Sequence, residues 1–207
     1  MAELRGLPPG RAGRLWLRQR LAVARRGAEL LDRKLRVLRS EQARLHALVT
    51  ATEHDWTQAY AEATRWLTRA ALIGGERAIR LSSPSDSAHV EFGWQAVMGV
   101  RYPGSAVVRP PFSDHSPRAS GTSALGVAAA AYAEAVNAGA ALAATQSAAA
   151  IVDGEVAATV QRLRAIRDHW IRRLDAAMTI VGQRLEEIER DESIRLRWAA
   201  RRHETPH

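Results

Sequence analysis

The chain of 207 residues is 46% hydrophobic and 25% charged, the proportions of one water-soluble domain, and it has no cysteine, which excludes a disulfide framework and a thiolate zinc site. The net charge of +8 lies between Met1 and Arg44, where eleven arginines and Lys34 face Glu3, Glu29, Asp32 and Glu41; the remainder balances. Lys34 is the only lysine, an arginine bias that a high-GC genome explains and that supplies planar, permanently charged contacts for carboxylates or phosphates.

The N-terminal MAELRGLPPGRAGR lacks the apolar core of a signal peptide. From Leu17 the residues Leu17, Leu21, Ala24, Ala28, Leu31, Leu35, Leu38, Gln42, Leu45, Val49, Thr52, Trp56, Ala59, Ala63, Trp66 and Ala70 follow four-three spacing, broken in character only by Gln42 and Thr52. A seam kept for roughly eight heptads is a coiled-coil signature. Pro8 and Pro9 precede it and Gly74-Gly75 follow it, so a helix is expected over about 10–73.

Residues of about 82–122 break the pattern. HVEFGWQAVMGVRY (89–102) predicts a short hairpin closed by a Pro103-Gly104 turn, and RPPFSDHSPRASGTS (109–123) reads as an irregular loop. A returning helix is expected over about 123–202. Its alanine-rich start permits close helix approach and, with Glu134 and Asn137 inside it, is too weakly hydrophobic to insert in a membrane. Val156, Val160, Leu163, Ile166, Trp170, Leu174, Ala177, Val181, Leu185 and Ile188 then form a stripe of about 3.6 residues per turn.

Two long helices, each with an apolar stripe that needs a partner of similar length, imply an all-α chain. Its N- and C-terminal helices would form a long antiparallel two-helix coiled coil, with the hairpin and loop in the middle, as one elongated domain over 1–207. A parallel homodimer is the alternative. In the hairpin arrangement Leu17, Leu21, Leu31, Leu38, Leu45 and Trp56 form the core with Leu163, Trp170, Leu174, Val181 and Leu185, while Trp16 and Trp198 meet at the tip.

Catalytic and cofactor chemistry is not assembled by the spacing. Glu53-His54-Asp55 and Asp168-His169 are neighbours that diverge by about 100° on a helix, and IGGERAIR lacks the Lys-hydroxyl pair of a phosphate loop. Glu186-Glu187 lie between Arg184 and Arg190 as helix-supporting pairs. No catalytic, metal or cofactor residue is assigned and no cofactor is expected. The basic N-terminal helix could neutralise phosphates, but its arginines surround a seam without base-stacking aromatics, so no nucleic-acid partner is expected.

The stretch PGRAGRLWLRQRLAVARRGAELLDRKLRVL (9–38) resembles the opening of the D-type subunit, the central stalk component of V-type and A-type rotary ATPases. VMGVRYP (97–103) is similar to that family's central hairpin, GTSALGVAAAAYAEAV (121–136) to its entry into the returning helix, and RLDAAMTIVGQRLEEIERDESIRL (173–196) to its closing helix. The resemblance implies a rotor without bond chemistry of its own, coupling ATP hydrolysis or synthesis to rotation of a membrane ring that moves protons or sodium. It implies as partners a catalytic head hexamer of A- and B-type subunits, a small F-type stalk subunit and a funnel-shaped subunit on the ring. It also implies a cytoplasmic location, peripheral to the inner face of the membrane.

On that reading Arg11, Arg14, Arg18, Arg25 and Arg26, with Arg195, Arg197, Arg201 and Arg202, are the head-contact candidates. Trp94, Met98 and Arg101 of the hairpin are the companion-subunit candidates. A coiled-coil adaptor without motor function, or a basic helical nucleic-acid-binding protein, are the competing readings.

Overall fold

The computed structural model of the protein describes residues 8–82, 87–109 and 122–203, with side chains as far as Arg201. In chain order the elements are α1 (Gly10–Ser82), β1 (His89–Val97), β2 (Val100–Arg109), α2 (Ser123–Arg164), a π-helical turn (Ala165–Ile171) and α3 (Arg172–His203). The fold is therefore all-α with one antiparallel hairpin in the middle. The chain forms two compact units, one joining the residues up to Leu35 with those from Ala158 onward, the other comprising Arg36–Ala157.

In the first unit the start of α1 pairs antiparallel with α3. Arg11 reaches Glu189 at 3.1 Å, Arg25 reaches Asp175 at 3.3 Å and Arg167 reaches Asp32 at 3.4 Å, so residue numbers rise on one helix as they fall on the other. Between these exposed pairs lies a core of Leu17, Leu21, Ala24, Leu174 and Val181, flanked by Trp16, Ile171, Ala177, Met178 and Leu185. Full burial of a leucine contributes about 1.5–3 kcal/mol, whereas each exposed ion pair contributes about 1 kcal/mol or less. The seam therefore holds the pair together, and the charges set its register.

The seam on the returning side contains one irregular step. Thr159 and Leu163 are buried and Ile166 is half-buried; the next apolar residue on the core is Ile171, followed by Leu174, the adjacent pair Ala177-Met178, Val181 and Leu185. Every step is three or four residues except the five from Ile166 to Ile171, and the π-helical turn lies there. Trp170, expected in the core, is passed over and left 39% exposed, because a wider turn inserts one residue and Ile171 takes its place. Trp16 packs on the same cluster as Leu185, while Trp198 is exposed further along α3, so the expected contact of the two indoles is not made.

In the second unit the middle of α1 lies along α2. Leu38 and Leu45 are buried and Leu31, in the first unit, is half-buried. The two polar interruptions of the seam have partners across it: Gln42 Nε2 donates to Asp153 Oδ1 at 2.8 Å, and the Thr52 and Thr145 hydroxyls lie 3.0 Å apart. Beyond them alanine meets alanine, Ala63 with Ala131 and Ala135, then Ala70 with Ala124 and Ala128.

Such a narrow seam has no room for an indole. Trp56, also expected in the core, is displaced to the margin, 36% exposed and stacked on Tyr60 at 5.6 Å. A Cβ at Gly139 would come within 3.1 Å of its Nε1, which shows how closely the ring edge abuts α2. Trp66 is only half-buried; its N–H donates to Glu62 at 2.7 Å and Arg69 covers its ring. By composition alone α2 and its continuation are apolar enough to cross a membrane, yet the alanines of α2 are the groups that face α1.

Two expected boundaries move. Helix α1 continues to Ser82, but through a break at Gly75 (φ 71, ψ 167), a conformation essentially restricted to glycine. The hairpin closes at Met98-Gly99, with φ of 51 and 82, rather than at Pro103-Gly104. Two consecutive positive φ values match the twist of the strands, as in two-residue hairpin loops. Gly104 is instead the extra residue of a bulge in β2, opposite the Gly93-Trp94 step. The expected irregular loop falls on 110–121, outside the described residues.

Candidate interaction surfaces

Two groups of side chains could carry function, and neither converges on a reacting atom. Among the described residues no three His, Asp or Glu side chains could share a metal ion. His46 Nε2 lies 3.0 Å from Asp153 Oδ1, and His54 contacts Gln58 at 2.9 Å, both at exposed positions along α1. Asp153 thus accepts from His46 and from Gln42, and those hydrogen bonds hold its carboxyl below the ordinary range against the opposing effect of burial. That arrangement is a stitch between helices.

The first surface is the arginine-rich part of the first unit. Arg11 and Arg25 are tied across to α3, while Arg14, Arg18 and Arg26 are exposed without an acid partner among the described residues. Arg20 covers the Trp16 ring at 5.0 Å, a contact that fixes a cation over an aromatic face. On α3, Arg195 and Arg201 are exposed, Arg197 bonds back to Ser193, and the side chain of Arg202 lies outside the described set. Since Arg11 is already opposite Glu189, α3 continues past the described start of α1, and the arginines of its last turns are not opposite those of α1.

The second surface is the hairpin. Its strands alternate faces, so Trp94 and Ala96 share a side with Arg101, whose guanidinium lies 5.7 Å from the Trp94 ring. Trp94 is 58% exposed, and Met98 in the turn and Phe92 on the same strand are exposed as well. The fold therefore brings Trp94 and Arg101 together, leaves Met98 exposed in the turn of the same hairpin, and adds Phe92, which could have been found by stepping two residues back along the strand.

The opposite face of the hairpin anchors it. Tyr102 is buried and donates its hydroxyl to Glu41 Oε1 at 2.7 Å; Arg44, one turn on, grips the same carboxylate through Nε at 3.1 and 3.0 Å and Nη2 at 2.6 Å. Arg44 chiefly, and then Tyr102, lower the Glu41 pKa, with burial opposing them. Burial, then the hydrogen bond to Glu41 and its charge, raises that of Tyr102, and the hydrogen bonds to Glu41 raise that of Arg44. All three shifts favour the same state, an ionised Glu41 between a neutral tyrosine and a cation. Sequence reading missed this anchor, because Glu41 and Arg44 look like an ordinary i,i+3 pair on a solvated face.

Antiparallel helix pairs, an anchored hairpin and charged outer faces define an all-α coiled-coil protein. The particular family follows from comparison with known families: the model of the ATP synthase D subunit matches residues 15–201, and the chain belongs to that family. Among curated proteins no match was found. The chain is accordingly a stalk subunit of a rotary ATPase, a structural component that partners with other subunits of a membrane-associated complex.

Proposed function

We propose that this chain is the central shaft of a V/A-type rotary ATPase, turning inside a catalytic head and carrying out no bond chemistry itself. The observation that carries the reading is the set of exposed arginines, Arg14, Arg18 and Arg26, beside the ion-paired Arg11 and Arg25 on a closed antiparallel helix pair. A shaft must favour one set of head conformations at each angle and then release it. Coupling of that kind is a difference in contact energy between states. Exposed, salt-screened charges give contacts of about 1 kcal/mol or less, strong enough in sum to bias a site and weak enough singly to be remade.

On this proposal the arginines of α1, with Arg195, Arg197, Arg201 and Arg202, meet A- and B-type head subunits. The Trp94, Met98 and Arg101 face of the hairpin docks the small F-type companion, and a funnel-shaped subunit links the shaft to a ring that moves protons or sodium. The chain then works on the cytoplasmic side of the membrane, whether ATP is hydrolysed or made.

The test is reconstitution of the complex with Arg18, Arg25 and Arg26 all changed to Gln. Coupled turnover should fall while the helical circular dichroism of the isolated chain is kept and its melting temperature drops by no more than the loss of the one exposed Arg25–Asp175 pair accounts for. Full coupling in that variant defeats the proposal.

A further inference from the structure

The first unit carries a conformational device that the shaft reading does not require. We propose that the π-helical turn (Ala165–Ile171) lets α3 roll on α1 by part of a residue, exchanging Ile171 for Trp170 in the seam.

Three observations converge. The first is the five-residue step from Ile166 to Ile171 in an otherwise regular seam, which stores one residue more than an α-helix needs there. Wide turns of this type concentrate at functional points in helices.

The second is the width of the apolar stripe below the turn. Trp170-Ile171, Ala177-Met178 and Ile180-Val181 are adjacent apolar pairs, with Leu174 and Leu185 between and beyond them. The observed packing uses Ile171, Leu174, the adjacent pair Ala177 and Met178, Val181 and Leu185. A continuous α-helix from Leu163 would use Trp170, Leu174, Ala177, Val181 and Leu185, the stripe of 3.6-residue period legible in the sequence. The two faces share Leu174, Ala177, Val181 and Leu185 and differ chiefly in Ile171 against Trp170, so passing from one to the other is a small rotation in which no charged residue enters the seam.

The third observation lies just ahead of the turn. Thr159 is fully buried and its hydroxyl has no partner among the described residues, whereas Thr145 and Thr179 bond back to the carbonyl one turn earlier. A buried polar group left unpaired is costly, so this packing is not at its optimum. Two contacts at the turn that would have to yield, Arg167 with Asp32 and Arg172 with Asp168, are both exposed. Two packings of one stripe that share most of their residues make a bistable element.

Because the chain has no cysteine, disulfide capture reads the roll directly. Ala28 is buried midway between Arg25 and Asp32, whose partners are Asp175 and Arg167, and so lies opposite the end of the turn. Three full-length double variants are oxidised side by side: Ala28→Cys with Ile171→Cys, with Trp170→Cys and with His169→Cys. The Ile171 pair should close fastest. The Trp170 pair should close roughly ten- to a hundred-fold more slowly, as capture of a minor state of about 1–10% requires, and still well ahead of His169.

Removing the exposed Asp168 takes out the stored residue, so capture at Trp170 should vanish while capture at Ile171 remains. Trp170 closing no faster than His169, or closing undiminished after the deletion, overturns the proposal. Should the deleted chain lose helicity, hydrogen exchange of the intact chain decides: amides of 165–171 should exchange at least ten-fold faster than those of 156–163, and equal protection overturns it.

Discussion

Tyr102 Oη donates to Glu41 Oε1 at 2.7 Å across 61 residues of sequence, and through this bond β2 is fastened to the middle of α1. Hydrogen bonds to a charged group contribute about 1.5–3 kcal/mol. Tyr102→Phe keeps the buried ring and removes only the hydroxyl. It should lower resistance to urea by about that amount and speed exchange of β2 amides roughly ten-fold or more, while the amides of α3 stay unchanged.

The same anchor has a pH window. Glu41 titrates lower when folded than when unfolded, so its contribution is complete above the ordinary value of 4.5 and disappears as pH falls through the lowered one. Tyr102 titrates higher when folded, so its contribution is complete below 10.0 and disappears as pH rises through the raised one. Exchange protection of the hairpin should therefore form a plateau that falls off in acid and in strong alkali. In Tyr102→Phe the alkaline fall should be lost.

Asp153 is shared by Gln42 and His46, and the three should not behave additively. Changing Asp153→Ala strands Gln42 half-buried and should destabilise the chain by about 1–3 kcal/mol. The double variant Gln42→Leu, Asp153→Leu replaces both partners by seam residues and should recover most of that loss. A urea-denaturation cycle over the single and double variants measures the coupling, and strict additivity would mean the bond contributes nothing.

Gly75 holds φ 71 and ψ 167, where a Cβ is strained even though a side chain there would meet nothing within 4 Å. Gly75→Ala should cost about 1–3 kcal/mol, in contrast to Gly126→Ala inside α2, which has the same open space without the strained backbone and should gain up to about 1 kcal/mol. Thermal melts of the two variants compare strain with propensity directly.

Leu174 and Trp170 distinguish the two possible seams. Leu174 is fully buried, so Leu174→Ala should cost about 2–5 kcal/mol. Trp170 is the larger side chain yet 39% exposed, and Trp170→Ala should cost less than Leu174→Ala despite removing more atoms. The order of the two melting temperatures decides which residue belongs to the core.

The sequence alone determined the helical arms and the side each buries, because a seven-residue repeat is a local property: Leu17, Leu21, Leu38 and Leu45 had to face a partner whatever that partner was. It also showed that Gln42 and Thr52 were out of character in the seam, and located the hairpin through its β-branched residues and glycines. Tertiary structure decided what depends on how much space the opposite helix leaves. Trp56 is turned to the margin by a seam of alanines and Gly139, and Trp170 by a turn that carries one residue too many. The partners Asp153 and Thr145, the anchor from Tyr102 to Glu41 and the turn at Met98-Gly99 are likewise matters of register between distant segments. Periodicity specifies which face a helix buries; only the facing surface specifies which side chains fit there.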